Sequence, residues 1–425
     1  MDNATPAAAP ATVRLDALTS LRFFAAAAIV LAHSEGLFGI PQGITDPFNL
    51  GQAVSFFFVL SGFILAWVYP TLDAAGVKSF YVARFARVWP AHIATLLLVF
   101  ILLAPHEQYL HENARWWMLV SNLTLTHAWI PYKACCYHYN TVSWSVSTEA
   151  FFYVCFPLLI HKFRQTWRLK LLLAAGLTAG MITFCNVAHI RDGMDAVINR
   201  VSVHVLIYDY PVTRMFEFVL GMTMSLLFQA LRPRINLGKA AGTGVEITTV
   251  ALMVVLMYYS GRMASEVQRV FPSVGEPGVL WLFPSGICAP MFGCLIVVMA
   301  LNRGLVSRFL SLPFIVLGGE ISYSIYLLHL PLLMYYQLHQ ARLAWIPNPV
   351  KLVMFWSLVL AGSYLMWRYV ERPCREFIRA YGERKINPQA KARAARFQWR
   401  LSAPDAAVLL VLLALLLPVC LSIHR

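Results

Sequence analysis

Apolar runs close to twenty residues long recur from Ala17 almost to the C-terminus, separated by short stretches that carry most of the charge. A helix needs about 20 apolar residues to cross a bilayer core. Composition agrees, with 59% hydrophobic and 13% charged residues, against about 25% charged in soluble domains. The expected fold class is all-α, a polytopic integral membrane protein with about eleven transmembrane helices. The expected spans lie near 17–35, 50–70, 89–105, 143–161, 170–189, 205–230, 243–260, 279–301, 312–336, 349–370 and 404–423. Trp116 to Pro131 is apolar but short, and is expected to be interfacial or re-entrant.

This pattern divides the chain into an N-terminal cytoplasmic tail (1–16), a membrane domain (17–370), a basic cytoplasmic loop (371–403) and an additional C-terminal helix (404–425). It leaves no room for a soluble catalytic domain. The opening MDNATPAAAPATV lacks the basic residues of a cleavable signal. The eight cysteines sit mostly inside apolar runs, apart from the adjacent Cys135 and Cys136, with neither zinc spacing nor a disulfide framework. No metal and no bound cofactor is expected.

The net charge of +14 is first a topological signal, because cytoplasmic loops of membrane proteins concentrate lysine and arginine. With the N-terminus in the cytoplasm, the loops on that side hold Lys78, Arg84 and Arg87, the cluster Lys162 to Lys170, Arg232 to Lys239, Arg303 and Arg308, and the run from Arg372 to Arg400. They carry more than twice the lysines and arginines of the opposite loops. The expected orientation is N-in and C-out, with the lipid bilayer rather than nucleic acid as partner.

Against this apolar background a few polar side chains stand out. Arg22 and His33 share the first span, and helix geometry puts them about 16 Å apart and within about 20° of one face. Ionisable groups inside a bilayer are costly and mark function by default. Arg84 and Arg87, three apart in FYVARFARVWP, face the same way on a helix and suit a phosphate or pyrophosphate, although interface anchoring explains them equally well. Ser145, Glu149 and Tyr153 form a polar stripe at four-residue spacing. Glu149 needs a partner, either His33 or an arginine such as Arg214. Arg214 and Glu217 are spaced to pair with each other. Ser61 and Gly62 read as a small-residue packing spot. In LGGEISYSIYLLHLP, Ser322, Tyr326 and His329 share a face, while Glu320 points nearly opposite His329. One cavity would hold them all only if Gly318 and Gly319 broke the helix. Tyr323 adds another hydroxyl to this channel-like segment.

In this order the pieces resemble acyltransferase family 3, the membrane acyltransferases that include bacterial surface-polysaccharide O-acetylases and antibiotic-modifying acylases. The resemblance spans Leu15 to Arg375 and rests on Arg22 and His33, FFFVLSGF at 56–63, the paired arginines Arg84 and Arg87, WSVSTEAFFY at 144–153, GEISYSIYLLH at 319–329 and ERP at 371–373. It implies an O-acyltransferase that transfers groups other than aminoacyl groups, multi-pass in a bacterial inner membrane. The donor would be cytoplasmic acetyl-CoA or another acyl-CoA, a cosubstrate. The acceptor would be a hydroxyl of a glycan, an exopolysaccharide precursor, a lipid-linked sugar or another molecule. On this resemblance His33 is the catalytic histidine, with Glu149 and Glu320 matching family carboxylates. Arg22, Arg84 and Arg87 fall on the donor side, with Ser145, Tyr153, Tyr323, Tyr326 and His329 in support. Thr148 departs from the apolar residue expected before Glu149. The chain is expected to lack the esterase-like domain some members append, so the reaction would occur within the membrane part.

Two rival classes bear on the same residues. A transporter or flippase for a lipid-linked glycan or small solute would line its path with them, but it predicts related halves and the sequence shows no internal repeat. A non-enzymatic subunit would leave the histidines without a purpose.

Overall fold

The computed structural model describes residues 15–103, 116–190 and 201–386. These residues form helices and connecting turns, with no strand among them. Helix α1 (Asp16–His33) opens with an aspartate in its first turn, where a carboxylate complements the helix dipole. It is followed by α2 (Ala53–Val68) and α3 (Ala74–Leu103). The short α4 (Trp116–Leu123) and α5 (Lys133–Cys136) precede α6 (Trp144–Ile160) and α7 (Phe163–Val187). A wide π turn at Val205–Asp209 leads into α8 (Met215–Leu231), followed by α9 (Lys239–Val270). Helix α10 (Gly275–Trp281) continues through a second wide turn, Leu282–Gly286, into α11 (Ala289–Leu301). The short α12 (Leu305–Leu310) precedes α13 (Pro313–His339) and α14 (Asn348–Met366). A third wide turn, Trp367–Glu371, joins α14 to α15 (Arg372–Ile386).

Nine helical segments of the described residues are long and apolar enough to cross a membrane, and α8 is apolar but shorter. The protein is a polytopic helical membrane protein. Helices α2 and α13 form the centre, α2 against α8 and α13 against α1. Helices α7, α9 and α14 leave large apolar residues such as Leu172, Val187, Leu252 and Val353 exposed, as lipid-facing helices do. Lipid tails are as apolar as leucine, so helices associate through close packing rather than through expulsion of water. Two contacts show how close. A methyl group on Gly62 would lie 1.9 Å from the Phe218 carbonyl oxygen, and one on Gly221 1.9 Å from that of Val59, so α2 and α8 cross backbone to backbone. A methyl on Gly319 would lie 1.9 Å from the Thr19 carbonyl oxygen, which fixes α13 against α1.

Ten of the expected spans have a counterpart among the described residues, and the eleventh, 404–423, lies outside them. The structure differs from expectation where helices outlast their apolar runs. Helix α3 begins at Ala74 rather than near residue 89, taking Arg84 and Arg87 into the same helix as the span. The stretch expected to begin a basic loop at residue 371 is helical as far as Ile386. A helix requires hydrogen-bonded backbone, not apolarity, and it runs on past the bilayer edge wherever helix-forming residues continue. Trp116 to Pro131 contains only α4 and a short turn at His127–Trp129, too little to span.

Candidate active site

A cavity of about 540 Å³ opens between α1, α2, α3, α6, α13 and α15. Each helix supplies polar side chains from an otherwise apolar face. Arg22 comes from α1 and Ser61 from α2, while Arg84 and Arg87 stand one turn apart on α3. Helix α6 contributes Ser145, Glu149 and Tyr153, the stripe its four-residue spacing requires. Helix α13 contributes Glu320, Ser322, Tyr323 and Tyr326, and α15 contributes Arg375, Glu376 and Arg379. All the site residues expected from sequence, apart from the two histidines, thus line one space. Helix α13 is unbroken through Gly318 and Gly319. The cavity takes Glu320 at one end and stops at Tyr326, so His329 need not share it.

The five arginines differ in their partners. Arg87 pairs with Glu371 at 3.2 Å, and its guanidinium lies 5.6 Å from the centroid of the Tyr323 ring. Glu371 is buried and also accepts a short hydrogen bond from Ser324. Arg84 is caged by three rings, those of Tyr69, Phe80 and Tyr153, each within 5.9 Å, and makes no ion pair among the described residues. Its buried Nε has no hydrogen-bond partner among the described residues. Arg22, Arg375 and Arg379 make neither a hydrogen bond nor an ion pair among those residues. A guanidinium presents five donors in a rigid fork. Leaving four such groups without an ion-pair partner among the described residues creates a site that favours an anion, even with Glu149, Glu320 and Glu376 on its walls.

The carboxylates have definite places. Glu149 Oε1 accepts hydrogen bonds from Ser61 Oγ at 2.9 Å and from Tyr153 OH at 2.6 Å. The expected pairing of Glu149 with His33 or Arg214 is therefore not what the structure contains, because the α6 stripe faces Ser61 across the cavity. Arg214 pairs with Glu217 at 3.2 Å, both fully buried and away from the cavity. Ser61 is more than a packing residue, since a rotation of about 100° per residue turns it to a different face from Gly62.

His33 finds its partner on α13. Its Nδ1 lies 2.8 Å from Nε2 of His329, with the two rings nearly parallel at 9°. His329 is fully buried, and its Nδ1 lies 3.2 Å from the Ile325 carbonyl oxygen. His33 ends α1 and is exposed. Tyr326 stands between this pair and the cavity. Its ring lies 5.9 Å from that of His329, and its hydroxyl is 2.7 Å from Ser145 Oγ and 2.9 Å from the Val142 carbonyl oxygen. The result is a cationic cavity and a histidine pair at opposite ends of α1, separated by one tyrosine.

Sequence reasoning did not assign Glu371, Arg375, Glu376 or Arg379 to the site. The ERP motif and the resemblance that runs to Arg375 pointed toward the first two, while Glu376 and Arg379 read as part of a basic loop. Among the described residues, no three histidine, cysteine, aspartate or glutamate side chains stand close enough to hold a metal ion.

Comparison with known proteins gives this arrangement a context. Residues 15–368 match the family model described as "Acyltransferase domain". Acyltransferase MdmB of Streptomyces mycarofaciens is 30% identical over 399 residues, covering 87% of this chain and 94% of the relative. O-acetyltransferase OatA of Staphylococcus aureus is 24% identical over 411 residues, covering 90% of this chain and 60% of OatA. No solved structure shows a significant match. Since the family match takes in nearly all of the described helices, the chain belongs to this acyltransferase family and is a membrane acyltransferase.

Proposed function

We propose that this protein transfers an acyl group, acetyl in the usual case, from a coenzyme A thioester to a hydroxyl of a glycan or other acceptor, with His33 as general base. The observation that carries this reading is the division of α1. Arg22 faces a cavity with four more arginines at one end, and His33 stands exposed at the other. Coenzyme A is a polyanion with a long flexible arm ending in sulfur. Arg22, Arg84, Arg87, Arg375 and Arg379 are suited to its phosphates, while Glu149, Glu320 and Glu376 on the same walls limit the excess of positive charge. The printed names of the relatives MdmB and OatA, an acyltransferase and an O-acetyltransferase, support this class of reaction.

A sugar hydroxyl is a weak nucleophile near neutral pH and needs a positioned base, a task for which histidine is well matched. In the proposed step the acceptor oxygen bonds to the thioester carbonyl carbon as its proton passes to His33 Nε2. The tetrahedral oxyanion collapses, the carbon–sulfur bond breaks, and the proton on His33 passes to the departing thiolate. Tyr326, whose ring lies 5.9 Å from that of His329, is the proposed oxyanion donor, its hydroxyl turning from the Val142 carbonyl to do so. The arginine end is assigned to the cytoplasm and His33 to the outer half of a bacterial inner membrane, in keeping with the loop charges.

The test uses the purified protein with labelled acetyl-CoA and candidate glycans. We expect His33→Ala to reduce transfer by about a hundred- to ten-thousand-fold, with coenzyme A still bound. A stable, correctly inserted variant that still transfers would overturn the base assignment. Solute movement without acyl transfer by the wild-type protein would point to a carrier instead.

A further inference from the structure

We infer that His329 is a positioning residue that selects the tautomer of His33, a conclusion that rests on His33 being the base proposed above. The argument is a chain of donors and acceptors. The Ile325 carbonyl oxygen only accepts, so the 3.2 Å contact from His329 Nδ1 places a proton on that nitrogen. Neither histidine is hydrogen-bonded to a carboxylate among the described residues. An added positive charge on fully buried His329 would therefore stand unbalanced, which makes the resting pair neutral.

A neutral His329 with its proton on Nδ1 offers a lone pair at Nε2. His33 Nδ1 lies 2.8 Å away and must supply the proton of that hydrogen bond. His33 then carries its own proton on Nδ1 and an unprotonated Nε2, the form able to accept a proton from a hydroxyl. Free imidazole side chains favour the opposite arrangement, with the proton on Nε2. The partner of one ring nitrogen decides the state of the other, so without His329 the base would rest mostly in the form that cannot act. When His33 accepts the acceptor's proton, the new charge is shared through the same hydrogen bond. His329 thus orients and supports His33 without touching substrate. Helix α13 can hold this register because Gly319, about half a span before His329, locks it against α1.

The test combines spectroscopy with kinetics on the full-length protein in lipid nanodiscs. Nitrogen-15 histidine spectra report which ring nitrogen is protonated, and the His33 signals are identified by their loss in His33→Asn. In the wild type we expect His33 to be protonated on Nδ1. In His329→Leu we expect the proton to move to Nε2 and kcat to fall by at least about tenfold, with the donor KM unchanged. His329→Gln keeps an acceptor oxygen in reach of His33 and should restore both the tautomer and most of kcat.

A wild-type His33 protonated on Nε2 would overturn the inference even if no His329 variant folds. An unchanged tautomer and kcat in His329→Leu would do the same. If the tautomer is as expected but His33→Ala still transfers, the base assignment fails while the tautomer assignment stands.

Discussion

Two groups of arginines occupy this protein, one buried and one lining a cavity, and they are built in opposite ways. Arg214, at the start of α8, is sealed. Glu217 lies 3.2 Å away, Ser55 and Ser285 accept from its guanidinium, and the rings of Phe58 and Tyr208 stack at 5.1 Å. Around the cavity, Arg22, Arg84, Arg375 and Arg379 lack an ion pair among the described residues, where Arg87 has one. Keeping Arg214 out of water costs free energy, which its partners recover within the fold. The cavity arginines are only partly buried, and Arg379 is exposed. The open group leaves its donors facing space, where a ligand's negative charge can satisfy them. An arginine within the bilayer is therefore not informative by itself, whereas an arginine with unfilled donors beside a cavity is.

The sharpest way to break this contrast is at the sealed group. Arg214→Met would strand Glu217, and removing one partner of a buried pair costs about 3–5 kcal/mol. We expect loss of folded protein, measured as thermal unfolding in detergent, with substantial recovery in Arg214→Met combined with Glu217→Leu. A single variant that melts like the wild type but no longer binds donor would place Arg214 in the functional group.

At the open group, Arg375→Ala with Arg379→Ala should raise the donor KM about tenfold or more, since a hydrogen bond to a charged group contributes about 1.5–3 kcal/mol, with Tm unchanged. Arg87→Ala should fall between the groups. It strands the buried Glu371, so both Tm and donor binding should drop. Unchanged donor affinity in the Arg375 and Arg379 double variant would return α15 to a purely topological role.

The smallest effect is expected outside the spans, where Glu35 serves as a solvated control. Hydrogen bonds from Thr45, both side chain and amide, and from the Gly43 amide hold its carboxyl below the usual range. A depressed carboxylate pKa stabilises the fold at pH above the unfolded value, and that gain fades as pH falls through the folded one. Glu35→Gln should therefore lower Tm slightly at neutral pH, and the difference should vanish in acid. A difference that persists at low pH would assign the effect to packing instead.

The sequence made the helices legible because lipid imposes one period and one length. It placed the ends poorly, since Arg84 and Arg372 are polar yet lie in helices that continue past the apolar run. Four-residue spacing correctly grouped Ser145, Glu149 and Tyr153 on a wall of the cavity. Local spacing carries no information about contacts between distant helices. The pairing of His33 with His329, nearly three hundred residues away, and that of Arg87 with Glu371 appeared only in three dimensions. Ser61 was hidden for a different reason: its neighbour Gly62 has an obvious packing role, and adjacent residues on a helix face different surroundings.

Helix α1 has no glycine or proline between Arg22 and His33, and Gly319 clamps it directly to α13. No hinge exists to shorten or lengthen the interval between an anion held at one end and a proton accepted at the other. On the proposed function, this interval is a ruler. It gauges the reach of the cosubstrate's arm rather than the bulk of the acyl group at its tip. A donor with a truncated arm would be gripped normally and still fall short of the base.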